Sequence, residues 1–217
     1  MKLGPRLIYS FFKGNAMMKK QKILLFLLEK YADWEAAYLS TAVYSMSRDN
    51  YEIKTVALSK EPLHSAGGLC VVPDYDLESM PENYAALILV GGYTWRTGDV
   101  TALRPVIERC ISQNQLLGAI CDATVYLASI GKLNHVKHTS NDHADLMDYA
   151  GEAYCGSANY IVRNVVGDQG IITANGAAPV EFAREVLLWL QAAPAEKIGQ
   201  WFPFHRLGYY AVPEAQY

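Results

Sequence analysis

The chain has 217 residues, 51% of them hydrophobic, so it can bury one substantial core and enclose a site. A formal net charge of -3 and a pI near 5.9 give no broad attraction to nucleic acid or anionic membranes. The apolar run over residues 23–28 is far too short to span a bilayer, and Cys70, Cys110, Cys121 and Cys155 are spaced like neither a zinc site nor a disulfide framework. The expectation is a cytoplasmic protein with reduced thiols and with no metal, cofactor, nucleic-acid partner or membrane partner.

Residues 1–18 read as an N-terminal extension, with Met17 or Met18 standing as a natural start just before the first strand. "KILLFLL" (22–28) is a continuous apolar run, as in a strand buried on both faces of a parallel sheet. Residues 33–49 then carry apolar side chains at helical spacing, 51–59 return to strand character, and 86–92 ("ALILVGG") form a buried strand ending in paired glycines. Residues 100–114 fit an amphipathic helix with Pro105 in its early part, "LLGAI" (116–120) is a further strand, and 123–133 form a helix that Gly131 can end. Beyond this, 145–154 have helical character, 160–176 read as two strands joined through residues 167–170, and 179–193 form a helix with Pro179 at its start. The alternation predicts one α/β domain over 19–192, a doubly wound parallel sheet covered by helices on both sides. An aromatic tail over 193–217 is expected to pack on the domain or on a dimer partner.

Cys121 closes one buried strand and precedes a helix, the boundary at which open α/β sheets bind ligands. Helix N–H groups and the positive helix end would favour its thiolate, and Gly118, Ala119 and Ala123 permit a tight nucleophile elbow. Local pattern alone leaves a packed structural cysteine open, because free cysteine is among the most buried residue types.

"ALILVGG", "LLGAICDAT" and "IITANGAAPVEFAREVLLWL", in this order and separation, resemble the ThiJ/PfpI family of the class I glutamine amidotransferase-like superfamily, over roughly residues 20–192. The resemblance implies a flavodoxin-like three-layer sandwich, Cys121 on a nucleophile elbow, an oxyanion hole from the Gly92 and Asp122 backbone N–H groups, and a homodimer. It also implies a carboxyl group near the cysteine, for which Asp33 is the nearest match, with Glu29 and Glu35 as reserves in a shifted register. Asp33 could instead cap the following helix.

Protease-like members have histidine directly after the cysteine, where this chain has Asp122; others supply one from a later loop, where Asn141 stands between His138 and His143. The His-Pro-Glu signature of glutaminases is also missing. Trp95 and Arg96, after the glycine pair, are candidates for an apolar wall and an anion contact, and Asn175 for the pocket rim. The expected function is a cysteine-dependent hydrolase or lyase acting on a small carbonyl or amide compound. The alternative is a redox- or ligand-sensing stress protein that uses the same thiol without turnover.

Overall fold

The computed structural model describes residues 20–212; the extension expected over 1–18 and residues 213–217 lie outside the described residues. In chain order the elements are β1 (Gln21–Phe26), α1 (Asp33–Ser47), β2 (Tyr51–Ala57), β3 (Leu63–His64), β4 (Cys70–Val71), β5 (Tyr75–Asp76) and β6 (Ala86–Leu89). They continue as α2 (Arg104–Ser112), β7 (Leu116–Ile120), α3 (Asp122–Ser129), α4 (His143–Ala150), β8 (Val165–Asp168), β9 (Ile171–Ala174), α5 (Pro179–Trp189) and α6 (Ala195–Leu207). The main sheet runs β5-β2-β1-β6-β7-β9-β8 and is parallel throughout except for the β8–β9 hairpin. This is the doubly wound α/β sandwich that the alternation predicts.

The central strands are apolar on both faces because both faces are covered. Leu24 and Phe26 of β1 join Leu87, Leu89, Leu117 and Ala119 under α2 and α3, while Ile23 and Leu25 join Ile88, Leu116 and Ile120 under α1 and α5. Alternate residues of one strand thus feed two separate cores. Each fully buried aliphatic or aromatic side chain contributes about 1.5–3 kcal/mol. Gly118 is the exception that packing requires: a Cβ there would stand 2.7 Å from Ile88 Cδ1 and 2.9 Å from Phe182 Cζ.

Several boundaries differ from the sequence reading. β6 stops at Leu89, because Gly91 and Gly92 turn away to pair with the loop before α1: Ala32 N–H donates to Gly91 O (2.9 Å) and Tyr93 N–H to Lys30 O (3.2 Å). α4 begins at His143, ahead of the expected 145, because Asp142 caps it by accepting from Asp145 N–H at 2.8 Å. The aromatic tail contains a helix, α6, that continues through Pro203. Ile198 of α6 is buried in the core shared by α1 and α5, and Arg206 Nε donates to Glu181 Oε1 at 2.7 Å. The antiparallel β3–β4 pair was not expected at all.

Candidate active site

β7 delivers Cys121 to the carboxyl edge of the sheet in a backbone conformation that few residues adopt. Its φ of 58° and ψ of -134° lie in territory favouring glycine, at a cost of about 1–3 kcal/mol. Surrounding bonds hold it there. Cys121 N–H donates to Ala174 O (3.0 Å), and Cys121 O accepts from both the N–H (3.0 Å) and the hydroxyl (2.6 Å) of Thr124. The following residue opens α3, so the thiol stands at a helix N-terminus with the Asp122 N–H directed at its sulfur.

The partner of Cys121 is Glu35, from the first turn of α1. Glu35 is 1% exposed; its Oε2 accepts from Gly91 N–H at 2.8 Å, and its Oε1 and the Cys121 sulfur flank the same space left by Gly176. Asn141 closes the other side: Nδ2 donates to Cys121 Sγ at 3.3 Å, and Oδ1 accepts from Gly176 N–H at 2.8 Å. Two glycines make room for the pair. A Cβ at Gly91 would strike Glu35 Oε2 and stand 2.5 Å from Cys121 Cβ; one at Gly176 would stand 2.9 Å from both Sγ and Glu35 Oε1. Trp34 braces this wall from outside, its indole N–H donating to Gly176 O at 3.0 Å.

Burial dominates the acid–base chemistry. It pushes the Glu35 carboxyl up to about 7, against the weaker pull of the Cys121 and Gly91 hydrogen bonds. Burial, and next the Glu35 charge, push the Cys121 thiol up to about 11, opposed by Asn141 and the Asp122 N–H. Two interacting acids titrate as a pair, so one proton leaves near neutrality and the other is retained far above it.

The structure brings some of the expected site residues together and separates others. Asp33 is corrected to Glu35. Two residues apart on a helix means roughly 200° of rotation, so Asp33 faces the loop after β3, where its Oδ2 accepts from Gly67 N–H at 2.8 Å, and Glu35 faces inward. The Ser65 hydroxyl, more than any other contact, holds the Asp33 carboxyl below its ordinary value. Neither histidine bonds the sulfur. His138 is fully buried between Val136 O (2.8 Å) and the Tyr154 hydroxyl (2.7 Å), and the His143 ring stacks on Tyr160 at 4.1 Å. Asn141 holds the position between them.

Trp95 is a core residue rather than a pocket wall, 2% exposed against Phe26 and Tyr126, with its indole N–H donating to Val90 O. Arg96 is committed to Asp122 and Asp145. Asn175 turns onto its own loop, donating to Asn164 Oδ1 and accepting from Ala177 N–H, and leaves the site contact to its neighbour Gly176. Gly92 lies beside the pair with φ 155°, where a Cβ would meet Lys30 O at 2.6 Å. Among the described residues its N–H has no protein acceptor. The sequence did hold a signal for Glu35: with Leu39, Ala42 and Val43 it occupies the i, i+4, i+7, i+8 stripe that α1 buries. A carboxyl group on an apolar stripe needs a partner in the core.

A strained cysteine elbow in a parallel sandwich, backed by a buried carboxyl, defines a class of α/β proteins built around a single thiol. The DJ-1/PfpI family profile matches residues 21–188, and the chain belongs to that family. It is 32% identical over 191 residues to the "uncharacterized protease YdeA" of Bacillus subtilis, covering 88% of this chain and 93% of that protein. Among solved structures it is similar to the DJ-1 superfamily protein Atu0886 of Agrobacterium tumefaciens, with a TM-score of 0.77 and 35% identity, covering 86% of this chain and 99% of that one. A thiJ/pfpI family protein of Bacillus anthracis gives a TM-score of 0.76 and 32% identity over 87% and 92% of the two chains.

Proposed function

We propose that the protein is a cysteine-dependent enzyme acting on a small carbonyl or amide compound, with Cys121 as nucleophile and Glu35 as the group that moves protons. The observation that carries this reading is the enclosed Cys121–Glu35 pair, slotted between Gly91 and Gly176 beside the unpartnered Gly92 N–H. Near neutrality Glu35 gives up its proton while the thiol, pushed up to about 11, keeps its own. The Glu35 carboxylate takes the thiol proton as sulfur attacks, and Asn141 Nδ2, the Asp122 N–H and the end of α3 direct positive dipoles at the developing thiolate. Sulfur attacks the carbonyl carbon, a C–S bond forms, and the π pair moves to oxygen. The Gly92 and Asp122 N–H groups receive that oxyanion.

With an aldehyde, Glu35 protonates the oxygen and the product is a hemithioacetal. With an amide, Glu35 protonates the departing nitrogen, the C–N bond breaks, and a thioester remains. Water then attacks the thioester carbonyl carbon and gives its proton to the Glu35 carboxylate; the C–S bond breaks, the acid leaves, and Glu35 passes the proton to the departing sulfur, restoring the pair. The name of the Bacillus subtilis relative, an uncharacterized protease, supports the hydrolytic branch. Assays of small amides and aldehydes with the parent, Cys121→Ser and Glu35→Gln proteins test the reading; a Cys121→Ser protein as active as its parent would sink it. Iodoacetamide alkylation of Cys121 should rise through about pH 7, as Glu35 becomes the carboxylate that can take the thiol proton, and again toward about pH 11, where the thiol itself ionises. We also keep the homodimer implied by the family, checked by light scattering against the 24.1 kDa chain mass.

One observation favours a second reading, a sensor that uses the thiol without turnover: an asparagine, which accepts no proton, holds the sulfur where a histidine base would stand. Graded peroxide followed by mass spectrometry separates the two. Stoichiometric oxidation confined to Cys121 with no turnover of any amide or aldehyde supports the sensor, and turnover lost with Cys121→Ser removes it.

A further inference from the structure

Arg96 ties three pieces of the active-site mouth into one ionic knot. From the loop after Gly92, its Nε and Nη2 donate to the two carboxylate oxygens of Asp122 at 2.8 and 3.0 Å, at the start of α3. Its Nη1 and Nη2 donate to Asp145 in α4 at 2.9 and 2.6 Å. All but one of its N–H donors are thereby committed. The guanidinium carbon lies 5.2 Å from the centre of the Tyr149 ring, so one planar face is occupied as well. A guanidinium forked onto two carboxylates has no fork left for a third anion.

The charges at this mouth do not cancel. One cation against two carboxylates leaves a net negative knot directly after the nucleophile, and the singly protonated Cys121–Glu35 pair adds a further negative charge. The negative charges of Glu35 and Asp122 both act on Cys121, and that of Asp122 acts on Glu35 as well. The sequence gives Arg96 the appearance of an anion contact. Its bonds give it the opposite effect.

We infer that the Asp122–Arg96–Asp145 clamp is a specificity device that rejects anions, so that the substrate is an uncharged or cationic small electrophile with no carboxylate, phosphate or sulfonate beside its reacting carbon. The inference rests on Cys121 being the nucleophile and goes beyond it by naming the charge class of what it attacks.

The test measures labelling of Cys121, resolved from the other cysteines by peptide mass spectrometry. Three methanethiosulfonates are used: the neutral methyl reagent, the anionic 2-sulfonatoethyl reagent and the cationic 2-(trimethylammonio)ethyl reagent. The last two are similar in size, and 2-mercaptoethanol is the reference thiol. Relative to that thiol, the anionic reagent should lag the cationic one at Cys121 by at least about threefold for each unit of net negative charge nearby. The gap should close near 1 M salt. Asp145→Asn, which keeps a hydrogen-bond acceptor for Arg96 but removes one charge, should raise the anionic-to-cationic ratio about threefold. Likewise, methylglyoxal should be consumed faster than glyoxylate. An anionic reagent that matches or beats the cationic one overturns the inference and leaves the nucleophile intact, as does a ratio that neither salt nor Asp145→Asn moves. If even the neutral reagent spares Cys121, the inference and the proposed function fall together.

Discussion

Two positions without a side chain decide whether Cys121 and Glu35 can share one slot. At Gly176 a methyl group would stand 2.9 Å from both Sγ and Glu35 Oε1, and neither atom can retreat, being backed by Asn141 and Gly91. Gly176→Ala is therefore expected to cut the alkylation rate of Cys121 at least about tenfold with the circular dichroism spectrum unchanged, because reactive groups misplaced by a fraction of an ångström lose large factors in rate. Gly67→Ala is the control. Its added carbon would press at 3.0 Å on Asp33, a half-buried side chain that bonds the Gly67 loop instead of the sulfur, so reactivity should hold. The cysteine was legible in the sequence because its small neighbours and flanking strand mark a turn. Glu35 was only a reserve, because choosing between two carboxyl groups in one helical turn requires knowing which face α1 buries. Asn141 was located by its distance from the cysteine, but its paired bonds to Sγ and Gly176 join loops 20 and 35 residues apart, which no local pattern records.

Helices and strands differ in how far their sequences announce them. β1, β6 and β7 are continuous apolar runs because helices cover them on both sides, and this is what their sequences show. β3 and β4 are two residues each, too short for any period, and exist because the segment after β2 folds back on itself. The packing of α5 on the sheet depends on Gly118, which leaves space for the Phe182 ring. Gly118→Ala should lower the free energy of unfolding by about 1–3 kcal/mol in urea titrations, the usual cost of overfilling a packed core. α4 depends on its cap: Asp142→Ala removes the acceptor for Asp145 N–H and should cost about 1 kcal/mol. It should also loosen the hold of Asp145 on Arg96, seen as faster hydrogen exchange across His143–Ala150 than elsewhere.

The fold as a unit carries the burial of Glu35 as a pH-dependent term. In the unfolded chain this carboxyl titrates near its ordinary 4.5, and in the folded protein burial raises it to about 7. Between those values the native state binds the extra proton, so its contribution is fully present below the lower value and is lost as pH rises through the upper one. The parent should accordingly lose about 2 kcal/mol relative to Glu35→Gln between about pH 5 and pH 8. Urea titrations of both proteins check this; parallel pH dependences would mean that Glu35 is not the buried acid. The topology follows from the order of strands and helices, which is why the parallel sandwich could be read before any contact was known. The site could be read only in part, because it is assembled where α1, the glycine pair, the elbow and the loops around Asn141 and Gly176 converge.

The backbone of Cys121 has an evolutionary consequence. Its dihedral angles suit glycine, so at this one position selection for stability and selection for chemistry favour different residues. Glycine ordinarily makes a protein less stable than alanine does, through its greater freedom when unfolded. Here the order should invert, with Cys121→Gly melting above Cys121→Ala and both inert. A lineage that abandoned the chemistry would gain stability by a single substitution.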